Sequence, residues 1–149
     1  MCLEINKVKT AAFKNKFKVN KKIKIYKILN YVLENGDIKL STPQTGHVIR
    51  PGWFVAEGPN EYKRIKEISE GVIHCFVNVD DCICPNELFD EGHYKAWLNC
   101  APCTIITGYA YTDDLVAVGQ YGDYGFKKVF FSESELKKTK VCLKAILND

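Results

Sequence analysis

The chain has 149 residues, enough for one domain that buries a core without disulfide support. No apolar run approaches the ~20 residues of a membrane-spanning helix, and the Lys-rich start lacks the apolar segment of a signal peptide, so neither a span nor export is expected and the setting is read as cytoplasmic. The net charge of +3 conceals a segregation that excludes a uniformly charged surface: residues 1–27 carry nine lysines against one acid, residues 28–126 six basic groups against fourteen acids, and residues 127–149 six lysines against three acids.

Residues 1–22 are Lys-rich with scattered apolar positions, and we expect a basic, mobile or partly ordered arm there. A single α+β domain is expected over 23–149. It begins with "KIKIYKILNYVL", whose β-branched and aromatic residues favour strand. Asn35-Gly36 supplies the two positive-φ positions of a tight type I′ turn, and "IKLST" returns antiparallel. A Pro- and Gly-rich stretch follows, with a short strand around Trp53–Val55. "EYKRIKEI" reads as a short helix or strand, and "GVIHCFVNV" as a buried strand. "NELFDEGHYKAWL" is a mid-chain helix or loop interrupted by Gly92. "CTIITGYAY", "LVAVGQY" and "KKVFF" are strands, and "GQYGDYG" is a hairpin turn rather than a phosphate loop, because it opens no helix. Ser132 and Glu135 have capping-box spacing ahead of a C-terminal helix. The order predicts α+β architecture, an antiparallel sheet or partly open barrel with a mid-chain helix or loop and a C-terminal helix.

Seven cysteines in an apparently intracellular chain argue against a disulfide framework. Cys82 and Cys84 form one close pair, Cys100 and Cys103 another, and two such pairs joined by a longer loop suit tetrahedral zinc. The one-residue spacing of Cys82 and Cys84 is tighter than usual for zinc, although in an extended strand both point the same way. The competing reading is small buried side chains flanking strands, which needs no cofactor. Cys100-Ala-Pro-Cys103 has redox spacing but lacks the surrounding βαβ pattern. Glu133 or Glu135 would serve an ADP-ribosyl-transfer-like enzyme, a second alternative weakened by the capping role of Glu135. No nucleophile elbow, Gly-rich phosphate loop or helical His-Glu-x-x-His pattern occurs, and the balance leans away from an enzyme.

Two charged sets point to binding. Lys14, Lys16, Lys18, Lys21, Lys22 and Lys24 are interleaved with Phe13, Phe17 and Tyr26, a pattern suited to nucleic acid, since lysines neutralise phosphates and aromatic faces stack on bases. With two arginines in the chain, such binding would be backbone-led. Asp80, Asp81, Glu87, Asp90, Glu91, Asp113 and Asp114 form an acidic centre able to imitate a phosphate backbone toward a basic protein groove.

The segments "PGWFVAEG", "GVIHCFVNVDD" and "LVAVGQYGDYGFKKVFFSE" resemble those of small proteins carried by phages and other mobile elements, over roughly residues 23–135. The resemblance assigns no functional residue. It implies a viral-type accessory protein, often an anti-defence factor such as an inhibitor of a CRISPR effector. The expected function is therefore a non-enzymatic binding or inhibitor protein acting on a protein or ribonucleoprotein effector through charged surfaces, with nucleic acid as a further partner of the arm and no membrane role.

Overall fold

The computed structural model describes residues 3–43, 45–83 and 102–148. The elements run β1 (Leu3–Glu4), α1 (Lys7–Lys16), β2 (Lys22–Glu34), β3 (Asp37–Ser41), β4 (Gly52–Val55), β5 (Glu61–Arg64), β6 (Glu67–Glu70), β7 (Ile73–Phe76), α2 (Val79–Ile83), β8 (Cys103–Tyr111), β9 (Leu115–Val118), β10 (Asp123–Phe126), β11 (Lys128–Phe131) and α3 (Glu133–Leu147). All strand pairings are antiparallel, and the architecture is α+β with an open main sheet.

The main sheet has the order β4-β11-β8-β2-β7-β10-β9, with β3 also on β2. Its spine is the β2–β8 pairing, in continuous register from Lys22↔Tyr111 to Asn30↔Cys103. The β2–β3 hairpin forms as expected. Asn35 and Gly36 take φ of 52° and 78°, and Glu34 pairs with Asp37 across them.

Only the turn Thr112–Asp114 joins β8 to β9, yet the sheet order puts β2, β7 and β10 between them. Four steps of ~4.8 Å separate such strands in a flat sheet, about 19 Å, whereas three linking residues span at most ~14 Å. The sheet therefore curls, and the Lys127 N–H donates to the Asp114 carbonyl (2.8 Å) where its far edge returns. Ile25, Leu29, Ile106, Phe126, Val129 and Phe131 fill the inside of the curl, and Leu136 and Leu143 of α3 join that core. The Ser132 hydroxyl caps α3 by accepting from the Glu135 N–H (3.1 Å).

A smaller sheet, β1-β6-β5, packs beside β9 and β10 through Leu3, Ile68 and Ala117. Part of the stretch over 1–22, read from the sequence as a basic, mobile or partly ordered arm, forms β1 and α1. Leu3 is fully buried against Ile68, and α1 docks by Phe13 against Tyr124 and by Thr10, whose hydroxyl accepts from the Val118 N–H (2.9 Å). These anchors are single residues in a polar stretch, which is why composition alone reads as an arm. "EYKRIKEI" is the β5–β6 hairpin. The "GVIHCFVNV" run ends its strand at Phe76, because the Asn78 side chain accepts from the Asp80 N–H (3.0 Å) and opens α2. The mid-chain "NELFDEGHYKAWL" expectation lies outside the described residues.

Close strand approach requires glycine at Gly108. A Cβ there would sit 2.5 Å from the Phe130 carbonyl oxygen and 2.9 Å from the Phe131 ring. Gly108→Ala is expected to destabilise the protein by about 3 kcal/mol through overpacking, measured as a lower denaturant midpoint at unchanged slope.

Candidate nucleic-acid interface

Strand alternation brings aromatic rings and lysines onto one outer face of β4, β11, β8 and β2. Ala110 is buried between Tyr109 and Tyr111, Val129 between Lys128 and Phe130, and Ile25 follows Lys24, so each neighbour turns outward. Register aligns the set: Trp53 opposes Phe130, Phe130 opposes Tyr109, Tyr109 opposes Lys24, and Tyr111 opposes Lys22.

The rings support one another. Tyr109 stacks on Phe130 with centroids 4.8 Å apart, and Trp53 meets Phe130 edge-on at 5.3 Å and Tyr109 at 5.8 Å. Tyr111 lies 6.0 Å from Tyr109 and 6.1 Å from Trp53. Trp53 remains 41% exposed, so ring surface is open to an incoming partner. Two lysines lie over this array, Lys22 Nζ 4.0 Å from the Tyr109 centroid and Lys128 Nζ 4.6 Å from that of Trp53, while Lys24 Nζ lies 5.4 Å from the centroid of Tyr26 on the same strand. Among the described residues no carboxylate pairs with Lys22, Lys24 or Lys128. The face therefore joins exposed π surface to cations that no carboxylate among the described residues neutralises.

The structure divides the basic set expected from the sequence. Lys22 and Lys24 stand on the aromatic face. Lys21 lies at the entry to β2, where its backbone exchanges hydrogen bonds with Thr112 (2.8 and 2.9 Å), and Lys18 lies in the turn before it. Lys14 and Lys16 belong to α1, which packs on β9 at the other end of the strand order. The acidic set is divided as well. Asp80 and Asp81 lie in α2, with Asp81 against Gly122 at the β9–β10 turn, while Asp113 and Asp114 lie at the opposite end of that hairpin. Glu87, Asp90 and Glu91 lie outside the described residues.

Of the four cysteines considered as zinc ligands, Cys84 and Cys100 lie outside the described residues. Cys82 is in α2 rather than on the expected extended strand, and is buried with Ile28 and Phe76. Cys103 packs against the same cluster, its Sγ 3.3 Å from Asn30 Oδ1. Among the described residues no three metal-binding side chains gather. Burial pushes the Cys75 and Cys82 thiols up to about 12, so neither is a thiolate nucleophile near neutral pH.

Sequence reasoning missed the ring cluster and two buried polar groups. Lys27 is 7% exposed, and its ammonium donates to the His74 carbonyl (2.7 Å). Desolvation lowers it to about 8, and the nearby thiols, protonated at neutral pH, offer it little countercharge. His74 is half-buried, but its Nδ1 is sealed from solvent and has no hydrogen-bond partner among the described residues. Burial, with the Lys27 charge beside it, lowers His74 to about 3, so the imidazole is neutral at pH 7.

Fold and face together define a small α+β domain with an outward aromatic–lysine sheet surface. Comparison with protein-family models, curated proteins and solved structures gives no match. No helix among the described residues is long and apolar enough to cross a membrane.

Proposed function

We propose that the protein is a non-enzymatic binding module that engages single-stranded nucleic acid on the outer face of β4, β11, β8 and β2. The observation that carries this reading is the gathering of Trp53, Tyr109, Tyr111 and Phe130 under Lys22 and Lys128, with Lys24 beside them over Tyr26, three lysines without carboxylate partners among the described residues. A four-stranded sheet that stacks two or three bases on outward aromatics is an established way to hold a single strand. Lysines beside the rings supply the phosphate contact, and base stacking is tolerant of sequence. Both arginines lie off the face, Arg50 in the loop before β4 and Arg64 on β5 paired with Glu67 (3.1 Å), so the bidentate base recognition typical of arginine is not built into it.

This reading keeps the expected class of a binding protein directed at a nucleic-acid-bearing effector. It moves the principal contact from the acidic centre to the aromatic–lysine face, since the four described acids fall in two separate pairs.

Anisotropy titration of labelled oligo(dT), oligo(U) and a DNA duplex against salt tests it. Both single strands should bind more tightly than the duplex, and with three lysines contacting phosphate the log–log salt slope should be about −2. Equal or tighter duplex binding, or affinity unchanged by salt, would overturn the proposal. Capture of an acidic protein without any oligonucleotide binding would do the same.

A further inference from the structure

We propose that two copies of this chain pair edge to edge through β4 when they sit side by side on one oligonucleotide, joining their aromatic–lysine faces into a single surface. The inference rests on the nucleic-acid reading and adds a second copy as partner at that site. Hydrogen bonding fixes which way the β4 backbone points. The Ala56 N–H donates to the Lys127 carbonyl (2.9 Å), and the register continues through Val55↔Lys128, Phe54↔Val129, Trp53↔Phe130 and Gly52↔Phe131. Residues of an antiparallel pair alternate between bonding toward their partner strand and away from it. Ala56, Phe54 and Gly52 therefore bond toward β11. The N–H and C=O groups of Trp53 and Val55 point to the open side, where no strand among the described residues meets them.

Proteins normally guard such edges with charge, irregular backbone or a covering segment. β9, at the other end of the main sheet, is covered: the Val118 carbonyl accepts from the Asn6 N–H (2.9 Å), and the Val118 N–H donates to the Thr10 hydroxyl (2.9 Å). β5, at one end of the smaller sheet, carries Lys63 and Arg64 and an irregular register. β4 reads Gly-Trp-Phe-Val, has no charged side chain, and leaves Val55 58% exposed. Of these three edges it is the one without a guard.

A second copy fits this edge. The register in which the free groups satisfy one another sets Trp53 opposite the second copy's Val55 and Val55 opposite its Trp53, across a two-fold axis at Phe54. Opposite residues of an antiparallel pair share a face, so both aromatic–lysine arrays lie on the same side of the joined sheet. The two Trp53 indoles become diagonal neighbours, within reach of each other. Charge favours the same arrangement. Arg50 and Glu57 are exposed in the loops at opposite ends of β4, and among the described residues Arg50 has no carboxylate partner. Antiparallel pairing lays each Arg50 near the second copy's Glu57 and holds like charges apart. Pairing of two four-residue strands falls short of the ~1,000 Å² of a lasting interface. The contact therefore forms when one oligonucleotide holds both copies at high effective concentration.

Sedimentation velocity of the full chain with oligo(dT) of about 5 and about 15 nucleotides tests the pairing, since one such face stacks two or three bases. The short oligonucleotide should take one copy. The long one should take two, the second at least tenfold more tightly than the first. Val55→Pro removes an outward N–H and no bond to β11, and an edge strand accepts proline at such a position. That variant should fold, bind the short oligonucleotide as the wild type does, and lose the cooperativity. Glu57→Arg should weaken the cooperativity, and adding Arg50→Glu should restore it. Independent binding of two copies to the long oligonucleotide would overturn the pairing and leave the single-strand reading standing. Undiminished cooperativity in a folded Val55→Pro, or in Glu57→Arg should the proline variant not fold, would do the same. Binding of neither oligonucleotide would overturn both.

Discussion

Replacing Trp53 and Tyr109 together with alanine is expected to lower affinity for a single-stranded oligonucleotide by about thirtyfold or more. Each base stacked on an aromatic side chain contributes about 1–3 kcal/mol by alanine substitution, so two rings account for roughly 2–6 kcal/mol, and 1.4 kcal/mol is tenfold. The two rings are themselves in edge contact at 5.8 Å, so the double variant removes a shared surface rather than two independent ones. The single variants should therefore combine non-additively. Tyr62→Ala provides the control. That ring is 59% exposed, but it stands on β5 in the smaller sheet, and its loss should leave affinity unchanged. Anisotropy titration at fixed low salt reads the effect, with thermal melting to show that the double variant remains folded. A double variant that binds as tightly as the wild type would remove the aromatic face from the account.

The second large effect concerns stability. Lys27→Met is expected to stabilise the protein at pH 7. The fall from 10.5 to about 8 represents a cost of about 3 kcal/mol for holding the ammonium in the folded interior. Losing the hydrogen bond to the His74 carbonyl returns about 1 kcal/mol, leaving a net gain of roughly 2 kcal/mol, or ~4–8 °C in Tm for a chain of this size. The pH dependence fixes the cause. Between pH 8 and 10.5 the unfolded chain binds a proton at this lysine that the folded chain does not, so this group makes wild-type stability rise with pH across that window. The Met variant lacks the group, and its advantage should shrink across the same window. Denaturant titrations from pH 7 to 10.5 measure both curves. A variant less stable than the wild type at pH 7, or an advantage that does not change with pH, contradicts the assigned state of Lys27.

What was legible in the sequence is local. Asn35-Gly36 announces its hairpin because few other residue pairs accept two positive φ values, and Ser132 announces the start of α3 because its hydroxyl meets an amide three residues on. The functional face is non-local. Trp53, Tyr109 and Phe130 come from strands far apart in the chain, and their meeting depends on a strand order that composition does not reveal. A partial signal was present in the alternation of "KVF" and "YAY", each with one buried residue between two outward ones, and of "KIK", whose Ile23 is half-buried against the core. Lys22 and Lys24 were singled out for charge alone, and the same alternation separates them from Lys27, which shares the parity of Ile25 and Leu29 and so turns inward. Leu3 and Thr10 escaped notice because one buried leucine and one hydroxyl anchor a stretch whose composition is otherwise that of a solvated segment.

The chain has two tryptophans, Trp53 and Trp97, so Trp97→Phe leaves Trp53 as the only indole reporter. Tryptophan emission of that variant, titrated with oligo(dT) at low salt, tests the central claim most directly. Stacking of a base on Trp53 predicts saturable quenching that is reversed by raising the salt and follows the same isotherm as anisotropy of the labelled strand. Binding seen by anisotropy with Trp53 emission unchanged would place the strand elsewhere on the protein and contradict the account.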